Sequence, residues 1–421
     1  MSRVLFINQC YWPDHASTAQ HLSDLAEFVA RAGHQVEVVC SRGLYVQGGR
    51  AAAARERRSG VDIVRLGGTA LGKVRRGGRL LDYISFHLLA AWWLLVRSRA
   101  DVIVTLTTPP LIGVWGTLAA RLRGVKHVCF LMDLHPDAEV AHGMLRQDSL
   151  ASRILEWFSR VHLRAADRCV VLGARQRRRV EDKGVDPQRI VEIPVWSDAD
   201  EIRPIEHAAN PLREHLGWGG RFVVIYSGNS GIAHRFEELL DAARELAMHA
   251  PDVLFAFVGG GERRAEIEQF VRTHALENVR FLDAFDRSEL ARSLSAGDVH
   301  FVSLREEFNG ISIPGKLYGI LAAGRPVLFV GPADSDTAQH LAAAEAGLAF
   351  APGGGSALAA GIVRLRDDDA LRQKMGERGR AYFLAHHERN ICCTAWQRLL
   401  EEVAAEEPVP SSRPNWEATR T

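Results

Sequence analysis

The sequence predicts an α/β protein built from two doubly wound, Rossmann-like domains that face each other across a cleft. Three observations support this fold class. Short apolar runs alternate with helical patterns along nearly the whole chain. The strand runs are apolar throughout, which is typical of parallel strands covered by helices on both faces. The alternation stops once, near 194–220, and then restarts.

The first half of the chain begins with a predicted strand at 3–8 and a helix that ends at Gly33. The apolar residues of that helix, Leu22, Leu25, Ala26 and Val29, recur with the spacing of one helical face. The remaining predicted strands of this half are 35–40, 61–66, 101–106, 127–133 and 168–172, and the helices between them are 79–97, 111–123 and 149–165.

The second half repeats the pattern after a stretch rich in Pro, Gly and polar residues, which indicates a linker. Its predicted strands are 221–228, 253–261, 279–283, 298–304 and 326–330, with helices at 235–249 and 262–275. The predicted organisation is a first domain at 1–195, a linker at 196–220, a second domain at 221–385, a C-terminal helix at 386–405 that packs back on the first domain, and a disordered tail at 406–421.

Composition excludes several classes of protein. The 421 residues are 47% hydrophobic and 24% charged, as in ordinary globular proteins, and a net charge of +1 gives no sign of a nucleic-acid partner. The six cysteines show no CxxC spacing, which favours a reducing compartment and no zinc site. The chain begins "MSRVLFINQC", without the basic and apolar segments of a signal peptide. We therefore expect a cytoplasmic protein.

The most apolar stretch of the chain is Leu80–Val96, about 17 residues including Asp82 and His87. It is shorter than the roughly 20 apolar residues of a membrane span. We expect this helix to lie on the inner surface of the cell membrane and to present Phe86, Trp92 and Trp93 to it, with basic residues at its end. The alternative is a buried core helix.

Three turns after strands of the second half suit an anionic ligand, because glycines let backbone N–H groups approach it. They are "YSGNSGIAHRF" (226–236), "FVGGGERR" (257–264) and "NGISIPGK" (309–316). In the last of these, free amides at the start of a helix accompany a lysine, which suits phosphate oxygens. The candidate ligands are Gly228, Asn229, His234, Arg235, Gly259, Gly261, Ser312, Ile313, Gly315 and Lys316.

In the first half, "FLMDLHPDAEVAHG" (130–143) follows a predicted strand and places Asp133 and His135 at the lip of the cleft. A carboxylate and an imidazole there can orient or deprotonate a hydroxyl group. His135 precedes Pro136, so we expect an extended residue that faces the surface. Acidic clusters such as "DSD" (334–336) lie at helix starts, where Asp caps helices, so we expect no metal site.

These motifs, with "RAGHQVEVVC" (31–40) and "GKLYGILAAGRPVLFVG" (315–331), resemble family 4 glycosyltransferases of the GT-B fold. The chain is most similar to the branch that assembles bacterial O-antigen, capsule and colanic-acid-type polysaccharides. The resemblance covers about 3–405. It implies a UDP- or GDP-sugar donor held by the second domain, a lipid-linked saccharide acceptor held by the first, retention of anomeric configuration, and no metal or other cofactor. Acceptor contacts would come from Tyr11, Ser17, Thr18 and His21.

The chain departs from the family pattern at several positions. Asn229 and His234 stand where Arg and Lys are usual, and Ser17 and Thr18 replace a pair of glycines. The Glu-x7-Glu signature falls on Ile311 and Gly319, so we expect another group, such as Glu306 or Glu307, to hold the nucleotide ribose. Two alternatives stay open: a sugar-nucleotide epimerase of the same fold, and an inactive nucleotide-binding scaffold.

Overall fold

The computed structural model describes residues 1–43, 53–71 and 77–406, and it contains two parallel sheets covered by helices. This confirms the predicted fold class. The first sheet is formed by residues up to Glu192 and the second by residues from Phe222 onward. Of the predicted disordered tail, 407–421 lies outside the described residues. Glu406 follows the last helix and forms ion pairs with Lys126 and Arg168.

The first sheet has eight strands in the order β3-β4-β2-β1-β5-β6-β7-β8. Seven of them run parallel, whereas β3 pairs antiparallel with β4 at one edge. The strands are β1 (Arg3–Ile7), β2 (Gln35–Ser41), β3 (Arg55–Arg58), β4 (Val61–Leu66), β5 (Val102–Thr105), β6 (Lys126–Phe130), β7 (Arg168–Val171) and β8 (Ile190–Glu192). The sequence "RERR" of β3 was not predicted as a strand, because its side chains face solvent and show no apolar pattern.

Helices cover both faces of the first sheet. Three of them, α2, α3 and α5, lie side by side, with α3 packed against both of the others. The helices are α1 (Ser17–Arg31), α2 (Gly78–Trp92, continued as a π-helix at Trp93–Arg97), α3 (Gly113–Arg123), α4 (Asp137–Ala141), α5 (Leu150–Ala165), α6 (Ala174–Asp182) and, in the linker, α7 (Pro211–His215).

Helix α2 was predicted to present Phe86 and Trp93 to a membrane, and that part of the prediction is wrong. Both side chains are buried in the core beside β1 and β5, and Trp93 donates a hydrogen bond to Glu37 (3.2 Å). Trp92 is 48% exposed. Within the described residues, Gly78–Arg97 is the one helix whose length and apolar character would suffice for a membrane span, and a third of it is buried.

The second sheet has six parallel strands in the order β11-β10-β9-β12-β13-β14. They are β9 (Phe222–Ser227), β10 (Val253–Val258), β11 (Val279–Leu282), β12 (Val299–Ser303), β13 (Val327–Val330) and β14 (Gly347–Phe350). The helices of this half are α8 (Glu237–His249), α9 (Arg264–Thr273), α10 (Leu290–Ser295), α11 (Lys316–Ala322), α12 (Asp336–Ala344), α13 (Gly355–Asp367), α14 (Asp369–His386) and α15 (Arg389–Ala405).

The chain returns to the first half through α15, which packs on α1. Its Trp396 is fully buried against Phe130 of β6, with ring centroids 4.6 Å apart. At the start of α15, Arg389 N–H donates to the carbonyl of Ser197 in the linker (3.0 Å). Segments that follow β6 of the first sheet and β9 and β12 of the second line one cleft, at the carboxyl ends of the strands where open α/β sheets bind ligands.

Candidate active site between the two domains

A cavity of about 820 Å³ occupies the cleft and is lined by both halves of the chain. The first half contributes the segment that follows β6, the start of α1, and one side of α2 and α5. The second half contributes Ala233, from the loop after β9, and Phe308, Ile311 and Ser312, from the loop after β12. The loops of the second sheet therefore reach the same space as the predicted acceptor side.

Asp133 and His135 both line this cavity, and they are joined there by Glu139. The Nδ1–H of His135 donates to Oε1 of Glu139 (2.8 Å). A carboxylate only accepts, so this bond leaves Nε2 of His135 as the proton acceptor. The His135 side chain is 15% exposed, so the expectation of a surface-facing residue is wrong. Glu139 was missed in the sequence, although its i+4 spacing from His135 is typical of a paired residue on a helix.

The surroundings of this group make His135 more basic than usual and oppose ionisation of the neighbouring Asp133. Burial opposes protonation of His135, but the hydrogen bond and charge of Glu139, with the charges of Asp133 and Asp137, raise the pKa of His135 above its usual value. Burial raises the pKa of Asp133. Burial also disfavours ionisation of Glu139, but the hydrogen bond and charge of His135, with a backbone hydrogen bond and the charge of His142, together outweigh it and lower the pKa of Glu139.

Contacts across the cleft fix the loop at 308–312 against this group. The N–H of Leu134 donates to the carbonyl of Ile311 (3.1 Å), and the guanidinium of Arg179 donates to the carbonyl of Asn309 (2.7 Å). The rings of His142 and Phe308 meet edge to face at 4.8 Å. The two halves are thus held together beside His135 by bonds to the backbone, which do not depend on the side chains of the loop.

Lys316 lies at the first residue of α11 with its ammonium nitrogen buried. Nζ lies 3.8 Å from the centroid of the Tyr226 ring, and a Cβ on Gly228 would lie 3.3 Å from it. No group among the described residues accepts a hydrogen bond from Nζ. Burial therefore lowers the pKa of Lys316 to about 7. This buried amine is a candidate ligand for an anion, because an anion would supply both the missing hydrogen-bond acceptor and an opposite charge.

The glycine loops after β9 and β10 stack on one another. The N–H of Gly228 donates to the carbonyl of Val258 (2.9 Å), and that of Ser230 to Gly260 (2.7 Å). Gly259 and Gly261 both have positive φ. A Cβ on Gly259 would lie 2.7 Å from the backbone of the first loop, and a Cβ on Gly261 would lie 2.4 Å from it. These two glycines thus have a packing role, and their approach to an anion stays a prediction.

His234 and Arg235 are both engaged within the protein. Nδ1 of His234 bonds the carbonyl of Ser303 (2.8 Å), and burial, with the charge of Lys316, lowers the pKa of His234 to about 3. It stays neutral and adds no charge to the site. Arg235 is paired with the buried carboxylate of Glu238 (2.6 Å). Because its charge is engaged there, it does not replace the lysine that the resemblance implies at the position of His234.

Two arginines that the sequence did not single out hold the His234 turn. Arg263 and Arg305 both donate to the carbonyl of His234, at 2.9 Å and 3.2 Å, and both pair with Glu237. The Asn229 carbonyl in the same turn accepts from the Tyr226 hydroxyl (2.7 Å). These bonds give the loop beside Lys316 a fixed shape.

The predicted acceptor residues divide into two groups. Ser17 and Thr18, at the start of α1, line the cavity. Tyr11 is instead buried in the core, and His21 packs edge to face on Trp196 of the linker at 5.0 Å. These two predictions are therefore not supported, because a loop sequence does not determine which of its side chains turn inward. Burial lowers the pKa of His21 to about 4, so it is neutral.

The amides proposed at the start of α11 are only partly available. Ser312 N–H donates to the carbonyl of Phe308 (3.4 Å), whereas those of Ile313, Gly315 and Lys316 form no bond to another described residue. Glu307 is exposed in the turn Glu306–Phe308. It lines a second cavity of about 610 Å³, and its charge raises the pKa of Arg235 after the larger effect of Glu238.

Gly319, which stands where the family has a glutamate, is a packing position. A Cβ there would lie 3.3 Å from Leu294 and 3.6 Å from Ile202. We expect Gly319→Glu to lower the free energy of unfolding by about 1–3 kcal/mol through overpacking, and activity with it. Denaturant unfolding and kcat measure this. Gly219→Glu, at an exposed linker position with open space, is the control. A gain of activity in Gly319→Glu would contradict the expectation.

Comparisons with known proteins agree with this arrangement. A glycosyl transferase 4-like domain matches residues 18–196, and a glycosyl transferases group 1 domain matches residues 221–368. Together the two matches cover most of the chain, one for each sheet.

Among curated relatives, WbjE of Pseudomonas aeruginosa, a glycosyltransferase, is 30% identical over 55% of this chain. The match spans little more than half of WbjE, 58% of its length. WcaI of Escherichia coli K12, named as a colanic acid biosynthesis glycosyl transferase, is 25% identical over 80% of this chain and 85% of its own.

Solved structures share the fold. Sucrose-phosphate synthase from Thermosynechococcus elongatus superposes with a TM-score of 0.75 at 17% identity, covering 96% of this chain and 99% of its own. WaaG, a glycosyltransferase involved in lipopolysaccharide biosynthesis, superposes with a TM-score of 0.69 at 18% identity, covering 93% of this chain and 99% of its own. Anabaena HepE in complex with UDP-glucose superposes with a TM-score of 0.71 at 16% identity, covering 96% of this chain and 100% of its own.

Proposed function

Because the chain belongs to the GT-B glycosyltransferases with a 4-like and a group 1 domain, we propose that it transfers a sugar from a nucleoside-diphosphate donor to a lipid-linked saccharide. The donor is a UDP- or GDP-sugar, and the reaction retains anomeric configuration without a metal. The product belongs to cell-surface polysaccharide biosynthesis, as the names of WcaI and WaaG suggest. The enzyme works at the cytoplasmic face of the membrane.

The observation that carries this proposal is the buried amine of Lys316, which has no hydrogen-bond partner among the described residues and lies four residues after Ser312, a residue that lines one cavity with Asp133 and His135. Departure of the nucleoside diphosphate places negative charge on the leaving phosphate. A fixed ammonium in a site shielded from water stabilises that charge strongly. Arg263 and Arg305 hold the neighbouring turn in place through the carbonyl of His234.

On the acceptor side, Nε2 of His135 takes the proton of the attacking hydroxyl while Glu139 holds the ring and stabilises the charge that develops. Asp133 orients the same hydroxyl. This division of roles is supported by the 2.8 Å bond between His135 and Glu139 and by the position of all three residues in one cavity.

A direct test combines binding with product analysis. A panel of UDP- and GDP-sugars is screened for protection against thermal unfolding, since a ligand of the folded state raises its stability. The protecting donor is then incubated alone and with a bacterial lipid extract. Label transferred to lipid supports the proposal. An altered sugar in the donor-only reaction would indicate the epimerase, and binding without any turnover would indicate the inactive scaffold.

We expect the loss of Glu307 to raise the donor KM. If this carboxylate holds the ribose, Glu307→Ala removes a hydrogen bond of about 0.5–1.5 kcal/mol, or roughly 2- to 12-fold in KM, with little change in kcat. Steady-state kinetics with the cognate donor measure it. Glu277→Ala, which removes an exposed carboxylate outside the site, is the matched control. Equal kinetics in both variants would remove Glu307 from the site.

Membrane association is expected through the outer face of α2. Leu80, Ile84, Leu88, Trp92 and Val96 recur every four residues and are all exposed. The double variant Leu88→Gln/Trp92→Gln should bind phosphatidylglycerol vesicles about 30-fold more weakly or worse, because each apolar side chain contributes on the order of 1–3 kcal/mol. Vesicle cosedimentation measures this, with Leu384→Gln, an exposed leucine of the second half, as control. Unchanged binding would contradict the membrane role.

A further inference from the structure

The second cavity, of about 610 Å³, adjoins the cavity of the His135 group. Pro136, which follows His135, and Ile311, from the loop after β12, line both of them. The rest of its wall, apart from Glu307, comes from the first half of the chain, which holds the acceptor in the proposed function. A saccharide whose end reaches His135 can therefore extend past Pro136 into the second cavity.

The wall of the second cavity carries polar and charged side chains, most of them from one face of α5. Those in the first half that can donate or accept hydrogen bonds with a ligand include Gln147, Ser152, Arg153, Glu156, Arg160 and Arg179. Hydroxyl, amide, carboxylate and guanidinium groups are the donors and acceptors that a hydroxyl-rich ligand needs. The wall thus suits a sugar.

Two carboxylates of this wall are already matched by basic groups. Nζ of Lys183, a buried residue, lies 2.6 Å from Glu156 and 2.7 Å from Asp137. Arg160 also pairs with Glu156 (2.7 Å), and Arg179 pairs with Asp137 (3.6 Å). Three cations thus face two carboxylates, which leaves this part of the wall with an excess of positive charge.

Arg153 adds a positive charge that no neighbouring side chain neutralises. Its guanidinium forms no hydrogen bond or ion pair with another described residue, and it follows Ser152 at the start of α5. The positive end of this helix of 16 residues lies at the cavity, because Ser152 lines it. Glu307 is the remaining carboxylate of the wall and is exposed. Even with Glu307 counted, four basic groups stand against three carboxylates.

We infer that the second cavity binds an acidic sugar of the acceptor, whose carboxylate or phosphate meets Arg153. This rests on the proposed function, and it adds that the acceptor is anionic and that the unit next to the reacting one is recognised. The reacting unit would offer its hydroxyl to Nε2 of His135. The neighbouring unit would lie in the second cavity, where the planar guanidinium of Arg153 can donate to two oxygens of one anionic group. Gln147 and Ser152 would bind its ring hydroxyls.

The first test compares small probes on the full-length protein by ligand-observed NMR titration. The probes are methyl glucuronide, methyl glucoside 6-phosphate, methyl glucoside and inorganic phosphate. One of the two acidic glycosides should bind about tenfold more tightly than methyl glucoside, because a hydrogen bond to a charged group contributes more than a neutral one. Equal binding of the three glycosides would overturn the inference. Inorganic phosphate that binds as tightly as the preferred glycoside would overturn it as well, because the site would then hold a free anion and no sugar.

Charge variants show where the acidic glycoside binds. Arg153→Gln should weaken it about 3- to 10-fold, since an exposed guanidinium contributes less than a buried one, and should leave methyl glucoside unchanged. Arg178→Gln, an exposed arginine of α6 outside the walls of both cavities, is the matched control and should change neither affinity. Thermal unfolding checks that the variants fold. An equal loss in the two variants would overturn the inference, and so would a preference that disappears only in Lys316→Ala, because the anion would then lie in the donor site.

A transfer assay separates this inference from the proposed function. The lipid extract that serves as acceptor is treated either by reduction of its carboxylates to alcohols or with a phosphomonoesterase. At limiting extract, one of the treatments should lower the initial rate of the wild type about 3- to 10-fold and leave that of Arg153→Gln unchanged. If sugar is transferred equally well to treated and untreated extract, the proposed function stands and the inference fails. If the Arg153-dependent binding is found but no sugar is transferred, the acidic-sugar site stands and the proposed function fails.

Discussion

Replacing His135 with alanine should lower kcat by about 10²- to 10⁴-fold, the usual contribution of a positioned general base. The donor KM should change little, because His135 lies in the half of the chain opposite Lys316. The change is measured with saturating donor and lipid acceptor. Asp148→Asn is the control, because it changes an exposed residue beyond α4, in the same region of the chain, and we expect it to leave kcat unchanged.

The pH profile distinguishes this role from a structural one. The neutral ring is the base, so kcat should rise with pH through the pKa of His135, which lies above its usual value of 6.5. Glu139→Gln removes the charge that raises this pKa. The rising limb should therefore move to lower pH while the maximal kcat falls. A profile in Glu139→Gln that keeps the wild-type midpoint would show that Glu139 does not act through His135.

Replacing Lys316 with alanine should weaken donor binding by about 10- to 150-fold, since a charge-assisted hydrogen bond is worth roughly 1.5–3 kcal/mol. Transfer should slow as well, because the charge grows on the leaving phosphate. UDP titration and kcat measure the two effects. Lys374→Ala, on the exposed face of α14, is the matched control. Wild-type donor affinity in a folded Lys316→Ala variant would remove this lysine from the site.

A second signature of Lys316 is proton uptake on donor binding. Its pKa is about 7 in the empty site, and a bound diphosphate raises it by supplying the missing opposite charge. At pH 8 the free amine is mostly neutral and the bound amine charged, so binding takes up close to one proton. The donor affinity should accordingly fall as the pH rises above 7. Calorimetry in two buffers of different ionisation enthalpy measures the uptake, which Lys316→Ala should abolish.

Much of the fold follows from local pattern. Apolar runs such as "VIVT" and "VLFAFV" fit only a strand buried on both faces, and the amphipathic spacing of α1 selects its buried face without reference to any neighbour. The edge strands β3 and β14 were not predicted, because they lack the long apolar run of a strand buried on both faces. Exposed edge positions carry polar or small residues, and pairing with β4 or β13 is what makes them strands.

Within the site, the sequence by itself determined the residue types that can meet an anion or a hydroxyl, because glycine turns, Lys316, Asp133 and His135 each follow a strand that ends at the cleft. Only the tertiary structure decided their surroundings. It buried Lys316 with no hydrogen-bond acceptor among the described residues, paired Arg235 with Glu238, and joined Glu139 to His135.

Helix α2 is a further example. Its composition indicates an apolar helix, but its packing against the first sheet decides which of its residues are buried and which are exposed. The same holds for Tyr11 and His21, which turn into the core and the linker. The direction of a side chain is set by contacts with residues distant in the chain, and no local pattern contains them.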